Sequence, residues 1–202
     1  MKRVLILDYD GTIVDSLKNV CEGFNYAAKR FGLRERTKKE VASLYLDNIY
    51  DSLVKIGIPK EKLPDFMSDM RDKYSENKVK VFPKMKEIID LLRKENKVLI
   101  ITSNYEKTIT EPIKENDIEV DEILGAEKGL SKVEKIGVLK REYPDAEIFY
   151  IGDTVGDMKE AREAGVKSIG VSWGYHSRKT LEKAKPDYIA DKPEELLEIV
   201  KN

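Results

Sequence analysis

Hydrophobic residues fall into two rhythms along this chain, and the change between them predicts its architecture. Val4–Leu7 is a continuous apolar run that stops abruptly at acid, in Asp8-Tyr-Asp10-Gly11-Thr12. A run of this kind, bounded by a turn signal, predicts a fully buried strand of a parallel sheet. From Leu17 the period becomes helical. Leu17, Val20, Cys21, Phe24, Ala28 and Phe31 share one face, with Asp15 and Ser16 placed to cap that helix and Gly32 to stop it. Thr37 and Glu40 have capping-box spacing ahead of a second stripe, Val41, Leu44, Tyr45, Ile49 and Leu53, which Gly57 and Pro59 break. Phe66, Met67, Met70 and Tyr74 predict a further helix, and residues 16–81 carry no strong strand signal.

At Pro83 the character changes. Met85, Ile88, Ile89 and Leu92 predict an amphipathic helix, and Lys97–Ile101 an apolar strand running into Thr102-Ser103-Asn104. Helix and strand then alternate. Strands are expected at 122–124, at 147–152 ahead of Asp153, at 167–171 and at 188–189. Helices are expected at 132–141, at 157–164 closed by Gly165, and at 193–200. This βα alternation predicts a parallel sheet covered by helices on both faces. The helical block between the first and second strands is too long for an ordinary crossover, so it is expected to be a separate insert. The expected fold class is therefore α/β, a three-layer α/β/α core with a small all-helical insert. Its divisions are a core of residues 1–15 and 83–202 and a helical cap of residues 16–82.

The positions where strands end bring in the chemistry. Asp8 and Asp10 alternate along an extended chain and so point to one side. Parallel strands gather their carboxyl ends at one edge, so Asp8, Asp10, Thr102 and Asp153 are expected to converge there. Asp157, one helical turn beyond Asp153, reaches the same place, as does Lys132 at the start of a helix after Ser131. The alternative for the first acids alone is a solvated strand-to-loop corner. Clustered carboxylates need a cation or a shared proton. A divalent ion held by Asp8, Asp153 and a backbone carbonyl would relieve them, and oxygen ligands suit Mg²⁺. A phosphate monoester would then be balanced by the metal, Lys132 and the Thr102 hydroxyl. Asp8 would attack phosphorus, and Asp10 would protonate the leaving alcohol and later deprotonate water.

Taken together, these segments resemble the haloacid dehalogenase superfamily of phosphatases, in its phosphoglycolate phosphatase-like branch. Asp8-Tyr-Asp10-Gly11-Thr12 is similar to the first motif, Thr102 to the second, Lys132 to the third and Gly152-Asp153-Thr154-Val-Gly-Asp157 to the fourth. The likeness continues through Ala161-Arg-Glu-Ala-Gly165, Gly170-Val-Ser-Trp173-Gly174-Tyr175 and Pro186-Asp-Tyr-Ile. It implies a Rossmann-like core, Mg²⁺ bound by Asp8, Asp10 and Asp153, and a helical cap inserted after the first motif. It also implies catalytic Asp8 and Asp10, phosphate contacts from Thr102, Ser103 and Lys132, and support from Thr12 and Asp157. Departures leave alternatives open. The third motif stands here in Ser-Lys-Val-Glu, so Lys128 competes with Lys132, and Ser103 competes with Thr102. The cap lacks the Gly-rich specificity turn of phosphoglycolate phosphatases. Tyr45, Asp47 and Asn48 lie near that place and are the specificity candidates, with the Arg34 and Arg36 cations beside them.

Composition narrows the setting. The chain has 202 residues and a net charge of −1, so no bulk field draws it to nucleic acid or membrane. Its single cysteine lies on the first helical stripe and is read as a core hydrophobe. One cysteine, no leader-like segment and no membrane-length apolar run point to a cytoplasmic protein. The expected partner is a small phosphorylated metabolite, and the expected state is monomer or homodimer. His176, the only histidine, follows Trp173-Gly-Tyr in a polar loop and is read as solvated; Trp173 is read as strand-end packing. Competing functions are a phosphomutase with the same acids and a non-enzymatic phosphorylatable switch resembling a receiver domain.

Overall fold

Strand β1, Val4–Leu7, is buried along its whole length and lies at the centre of a six-stranded parallel sheet. The computed structural model describes residues 3–128 and 131–201, without the Lys128 side chain. β1 is flanked by β4, Lys97–Ile101, with Leu7 beside Ile100, and by β6, Ile148–Gly152, with Leu7 beside Ile151. β5 (Glu122–Leu124) lies outside β4, while β7 (Lys167–Val171) and β8 (Tyr188–Ala190) extend the other side, giving the order β5-β4-β1-β6-β7-β8. The chain fills one side of β1 first and then the other, so the strand order reverses at β1, where open α/β sheets form a crevice.

Alternation along β1 divides the core in two. Leu5 and Leu7 pack with Met85, Ile88 and Ile89 of α5 (Met85–Arg93), with Ile109 and Ile113 of α6 (Glu106–Glu115), and with Leu196 and Val200 of the last helix (Glu195–Lys201). Val4 and Ile6 face the opposite layer, with Ile136 and Leu139 of α7 (Lys132–Glu142) and Ala161 of α8 (Val155–Ala164). The expected three-layer arrangement is therefore present. Among the described residues, no helix is long and apolar enough to cross a membrane.

Between β1 and α5 lie α1 (Leu17–Arg30), α2 (Lys38–Ser43), α3 (Ile49–Lys55) and α4 (Leu63–Ser75). They bury an apolar cluster of their own, in which Phe24, Phe31 and Phe66 meet edge to face at 5.7 and 5.3 Å. Cys21 is buried there, as its place on the stripe predicts. Three details differ from the sequence reading. Val14–Asp15 and Lys80–Val81 form a short antiparallel ribbon, β2 and β3, so the two chain crossings into the helices are hydrogen-bonded to each other. Strands this short leave no periodic signal. The second stripe is not one helix: after α2 and a 3₁₀ turn at Leu44–Leu46, Asp47 is extended and the Asn48 side chain accepts from the Tyr50 N–H at 3.0 Å to start α3. Ser16 precedes α1 without capping it, because its hydroxyl bonds the Tyr175 hydroxyl at 2.9 Å instead.

Candidate active site

Asp8 leaves the end of β1 with its backbone N–H still held by the Ile151 carbonyl at 2.8 Å. Asp10 follows in a tight turn in which Gly11 has φ +76° and the Ile13 and Val14 N–H groups both donate to the Tyr9 carbonyl. The two carboxyls have different partners. Asp8 Oδ1 lies 3.1 Å from Lys132 Nζ. Asp10 accepts from the Tyr74 hydroxyl at 2.8 Å on Oδ1 and from Asn104 Nδ2 at 2.6 Å on Oδ2.

Lys132 opens α7, where the Ser131–Glu134 capping box fixes the first turn, and its ammonium reaches Asp157 Oδ1 at 2.6 Å. Asp157 is fixed in turn as the third residue of α8. It forms a capping box with Thr154, and the Tyr150 hydroxyl donates to it at 3.0 Å. Asp153, fully buried at the end of β6, accepts from the Tyr175 N–H at 2.6 Å and faces the Thr12 hydroxyl at 3.5 Å. Two backbones press on this carboxyl: a Cβ added at Gly11 or Gly174 would come within 2.1 or 2.3 Å of Asp153 Oδ2. Only glycine permits that approach.

Asp8, Asp153 and Asp157 each offer an oxygen within 4.8 Å of the others, and all three are buried. Burial pushes the Asp8 carboxyl up to about 8, with Asp157 and Asp10 adding repulsion and Lys132 opposing it. Burial also raises Asp153 well above the usual carboxylate range, with Asp157 and Asp8 adding to it. Asp157 is also desolvated, yet Lys132 and Thr154 hold it below its ordinary value. Desolvation opposes the Lys132 ammonium, but Asp157 and Asp8 raise it well above 10.5. Among the described residues, Lys132 is thus the cation that pairs directly with this group, bonding two of its three crowded carboxyls. An all-oxygen donor set with excess negative charge fits a hard divalent cation. The Asp10 side chain lies outside this triad.

On the opposite wall, Thr102 is fully buried and its hydroxyl accepts from the Asn104 N–H at 3.0 Å, while Ser103 lines the cavity. The Thr102 carbonyl accepts from Lys135 Nζ at 2.9 Å. The helices close over the top. Tyr45 meets Tyr175 edge to face at 5.6 Å, and Asn48 donates to Glu160 at 3.1 Å. Asp47 pairs with Lys159 and with Lys55, the latter at 3.0 Å. The cavity between the sheet edge and the helices is about 80 Å³. One water needs on the order of 10–15 Å³ on this measure, so the space suits a small molecule.

A profile of the haloacid dehalogenase-like hydrolases matches residues 5–171. The chain belongs to this family. It is 24% identical to a phosphoglycolate phosphatase of Synechococcus elongatus over 209 residues, covering 98% of this chain and 97% of that one. It is 22% identical to the pyrophosphatase PpaX of Bacillus mycoides, covering 98% and 96%. A haloacid dehalogenase-like hydrolase structure from Streptococcus pneumoniae superposes with a TM-score of 0.81 at 25% identity, covering 98% of both chains. The protein is an enzyme of this family, and the relatives it matches along nearly their whole lengths are phosphatases by name.

In this haloacid dehalogenase-like hydrolase, Asp8, Asp10, Thr12, Ser103, Lys132, Asp153 and Asp157 are placed at one sheet edge, with Thr102 buried beside Ser103. Tyr45, Asp47 and Asn48 line the cavity. Arg34 and Arg36 do not: Arg34 pairs with Glu40 at 2.5 Å and Arg36 lies over the Phe24 ring at 5.7 Å. The Lys128 side chain lies outside the described residues. His176 is a correction. It is 5% exposed, its Nδ1 accepts from the Val155 N–H at 3.0 Å, and its Nε2 therefore donates to the Ala42 carbonyl at 2.9 Å. Its polar neighbours in sequence suggest solvent, but α2 folds over it. Trp173 packs at its strand end, its indole N–H donating to the Thr12 carbonyl at 3.0 Å. Sequence reading misses Tyr74, Asn104, Lys135, Tyr175 and Arg71. Asn104 was within reach as the next polar residue after Thr102-Ser103 at a strand end; Tyr74 is one more apolar position on a helical stripe.

Proposed function

We propose that this hydrolase cleaves small phosphate monoesters through an aspartyl-phosphate on Asp8, with Mg²⁺ as its cofactor. The observation that carries this reading is the division of labour between two adjacent carboxyls. Asp8 faces Lys132 and the other acids, whereas Asp10 is turned away and held by Tyr74 and Asn104. Asp8, Asp153 and Asp157, with the Asp10 carbonyl, would hold Mg²⁺, which when bound offsets charge on the phosphoryl oxygens and keeps Asp8 ionised. Lys132 and Ser103 bind further phosphoryl oxygens, and Thr102 shapes the turn that presents them.

The Asp8 carboxylate attacks phosphorus as the bond to the ester oxygen breaks, and Asp10 gives that oxygen its proton. Burial raises Asp10 above the ordinary value, which keeps a proton available, while Ser16, Tyr74 and Asn104 limit the rise. Asp10 then takes a proton from water, which attacks phosphorus and releases inorganic phosphate from Asp8. Residues 16–82 act as a cap on a core of residues 1–15 and 83–202. The β2–β3 ribbon joins the two, and the cap keeps water from competing during the first step. Tyr45, Asp47 and Asn48 select among leaving groups.

The test is phosphate release by the purified protein with Mg²⁺, over sugar, glycolate and nucleotide phosphates, and again with excess chelator. Turnover of small esters that chelator abolishes supports the proposal. Full activity in chelator, or better turnover of a phosphoprotein than of every small ester, refutes it.

A further inference from the structure

Arg71 is largely buried, and its guanidinium has no carboxylate partner among the described residues. Its residue is 9% exposed and lines the cavity from α4. Nε donates to the Ser103 carbonyl at 3.1 Å, Nη2 to the Tyr50 hydroxyl at 3.4 Å, and the group lies over the Tyr105 ring at 4.5 Å. These contacts fix its plane without neutralising its charge, and Nη1 has no hydrogen-bond partner among the described residues. Arg3, Arg30, Arg34, Arg93 and Arg178, all more exposed, each have an acid within reach. Burying an unpaired charge is costly, so a side chain held this way is suited to an anion that arrives with the ligand.

Its position specifies which anion. Arg71 and Tyr74 share a face of α4, about 4.5 Å apart along the axis by helical rise. The Tyr74 hydroxyl touches Asp10, the group assigned to protonate the leaving oxygen. Arg71 therefore lines the cavity from the same helix face as the partner of Asp10, bonded to the Ser103 backbone and paired with neither Asp8 nor Asp10.

We propose that Arg71 selects substrates whose leaving group carries a second anion, a carboxylate or another phosphate, a short distance from the ester oxygen. This rests on the phosphatase reading above and narrows its substrate class. The Ser103 carbonyl and Tyr50 position the guanidinium, and Nη1 is left to bind the anion. A neutral leaving group of the same size leaves that charge buried and unpaired.

The experiment compares kcat/KM for 2-phosphoglycolate, inorganic pyrophosphate and the neutral-tailed ethyl phosphate, all with Mg²⁺, in the parent, Arg71→Lys and Arg71→Met proteins. The parent should favour an anionic tail over ethyl phosphate by about 10- to 150-fold, the range for one charge-assisted hydrogen bond. Arg71→Met should bring that ratio close to one, and Arg71→Lys should retain part of it. The anion whose advantage collapses, carboxylate or phosphate, is the one Arg71 binds. A parent ratio near one overturns the proposal, as does an equal loss on charged and neutral esters, which would put Arg71 on the transferring phosphoryl group. Should Arg71→Met fail to melt cooperatively, an unchanged ratio in Arg71→Lys overturns it as well. Failure of the phosphatase reading looks different: no phosphate would be released from any ester, p-nitrophenyl phosphate included.

Discussion

Gly156→Ala tests whether the helices over the site act as a lid. Gly156 is the second residue of α8, and the 44–48 segment rests directly on it. A Cβ there would lie 2.9 Å from the Asp47 carbonyl oxygen and 3.0 Å from that of Tyr45, whereas ordinary contact begins near 3.4 Å. The segment must therefore retreat by roughly half an ångström, or α8 must shift, and overpacking of this kind costs about 1–3 kcal/mol. Alanine in a helix recovers up to about 1 kcal/mol relative to glycine. If the cap can swing away, opening relieves the clash and the melting temperature stays within a few degrees of the parent. Closure bears the cost, and kcat/KM for a good natural substrate should fall about 5- to 150-fold, the equivalent of 1–3 kcal/mol. A small artificial ester, which needs only the core groups, should lose less. Steady-state kinetics on both substrates with calorimetry of the same preparations reads all three quantities. Parent-like kcat/KM at an unchanged melting temperature would refute the lid, and a large drop in melting temperature with equal loss on both substrates would mean that the contact is ordinary packing.

Asp8→Asn should lower phosphate release by at least ~10³-fold, since the proposed nucleophile and proposed metal ligand are lost together; activity within tenfold of the parent would contradict the proposal. Mg²⁺ at about 100 times its dissociation constant should stabilise the protein by about 2.7 kcal/mol if only the native state binds it. Asp153→Ala should blunt that response in a thermal melt, and an equal gain in both proteins would dissociate the ion from the acid triad. Burial holds His176 below its ordinary value of 6.5, in a neutral form that bridges Val155 and Ala42. Between 6.5 and the lower folded value only the unfolded chain takes up a proton, so this contribution is present above 6.5 and is lost as pH falls through that window. Chemical denaturation from pH 7.5 to 5 should show the parent losing more stability than His176→Asn, and parallel curves would exclude it.

Much of the architecture was legible from sequence because the dominant forces there are local or periodic. A parallel strand buried on both faces must be a continuous apolar run, so β1, β4, β6 and β7 are visible in Val4–Leu7, Lys97–Ile101 and their later counterparts. Capping boxes are short-range as well, and the Thr37–Glu40 box is present as its spacing predicts, whereas the Thr154–Asp157 box starts α8 two residues earlier than expected. The α6 helix was harder to see, with only Ile109 and Ile113 buried and Pro112 inside it.

By itself, the sequence determined that Asp8, Asp10, Thr102 and Asp153 would share an edge, because parallel strands deliver their carboxyl ends to one side whatever the details of packing. Tertiary structure alone decided what surrounds them. A helical stripe says which face is buried but not what meets its margin. Tyr74 and Arg71 lie on or beside the same apolar face of α4, and only the docking of that helix brings one to Asp10 and the other to Ser103. Arg34 and Arg36 carry the same charge as Arg71, but one pairs with Glu40 and the other lies over the Phe24 ring, and neither lines the cavity. His176 is buried because α2 folds onto the loop that carries it. These outcomes depend on the angles at which separate elements pack, which are set by the shapes of whole surfaces and not by the spacing of residues along any one segment.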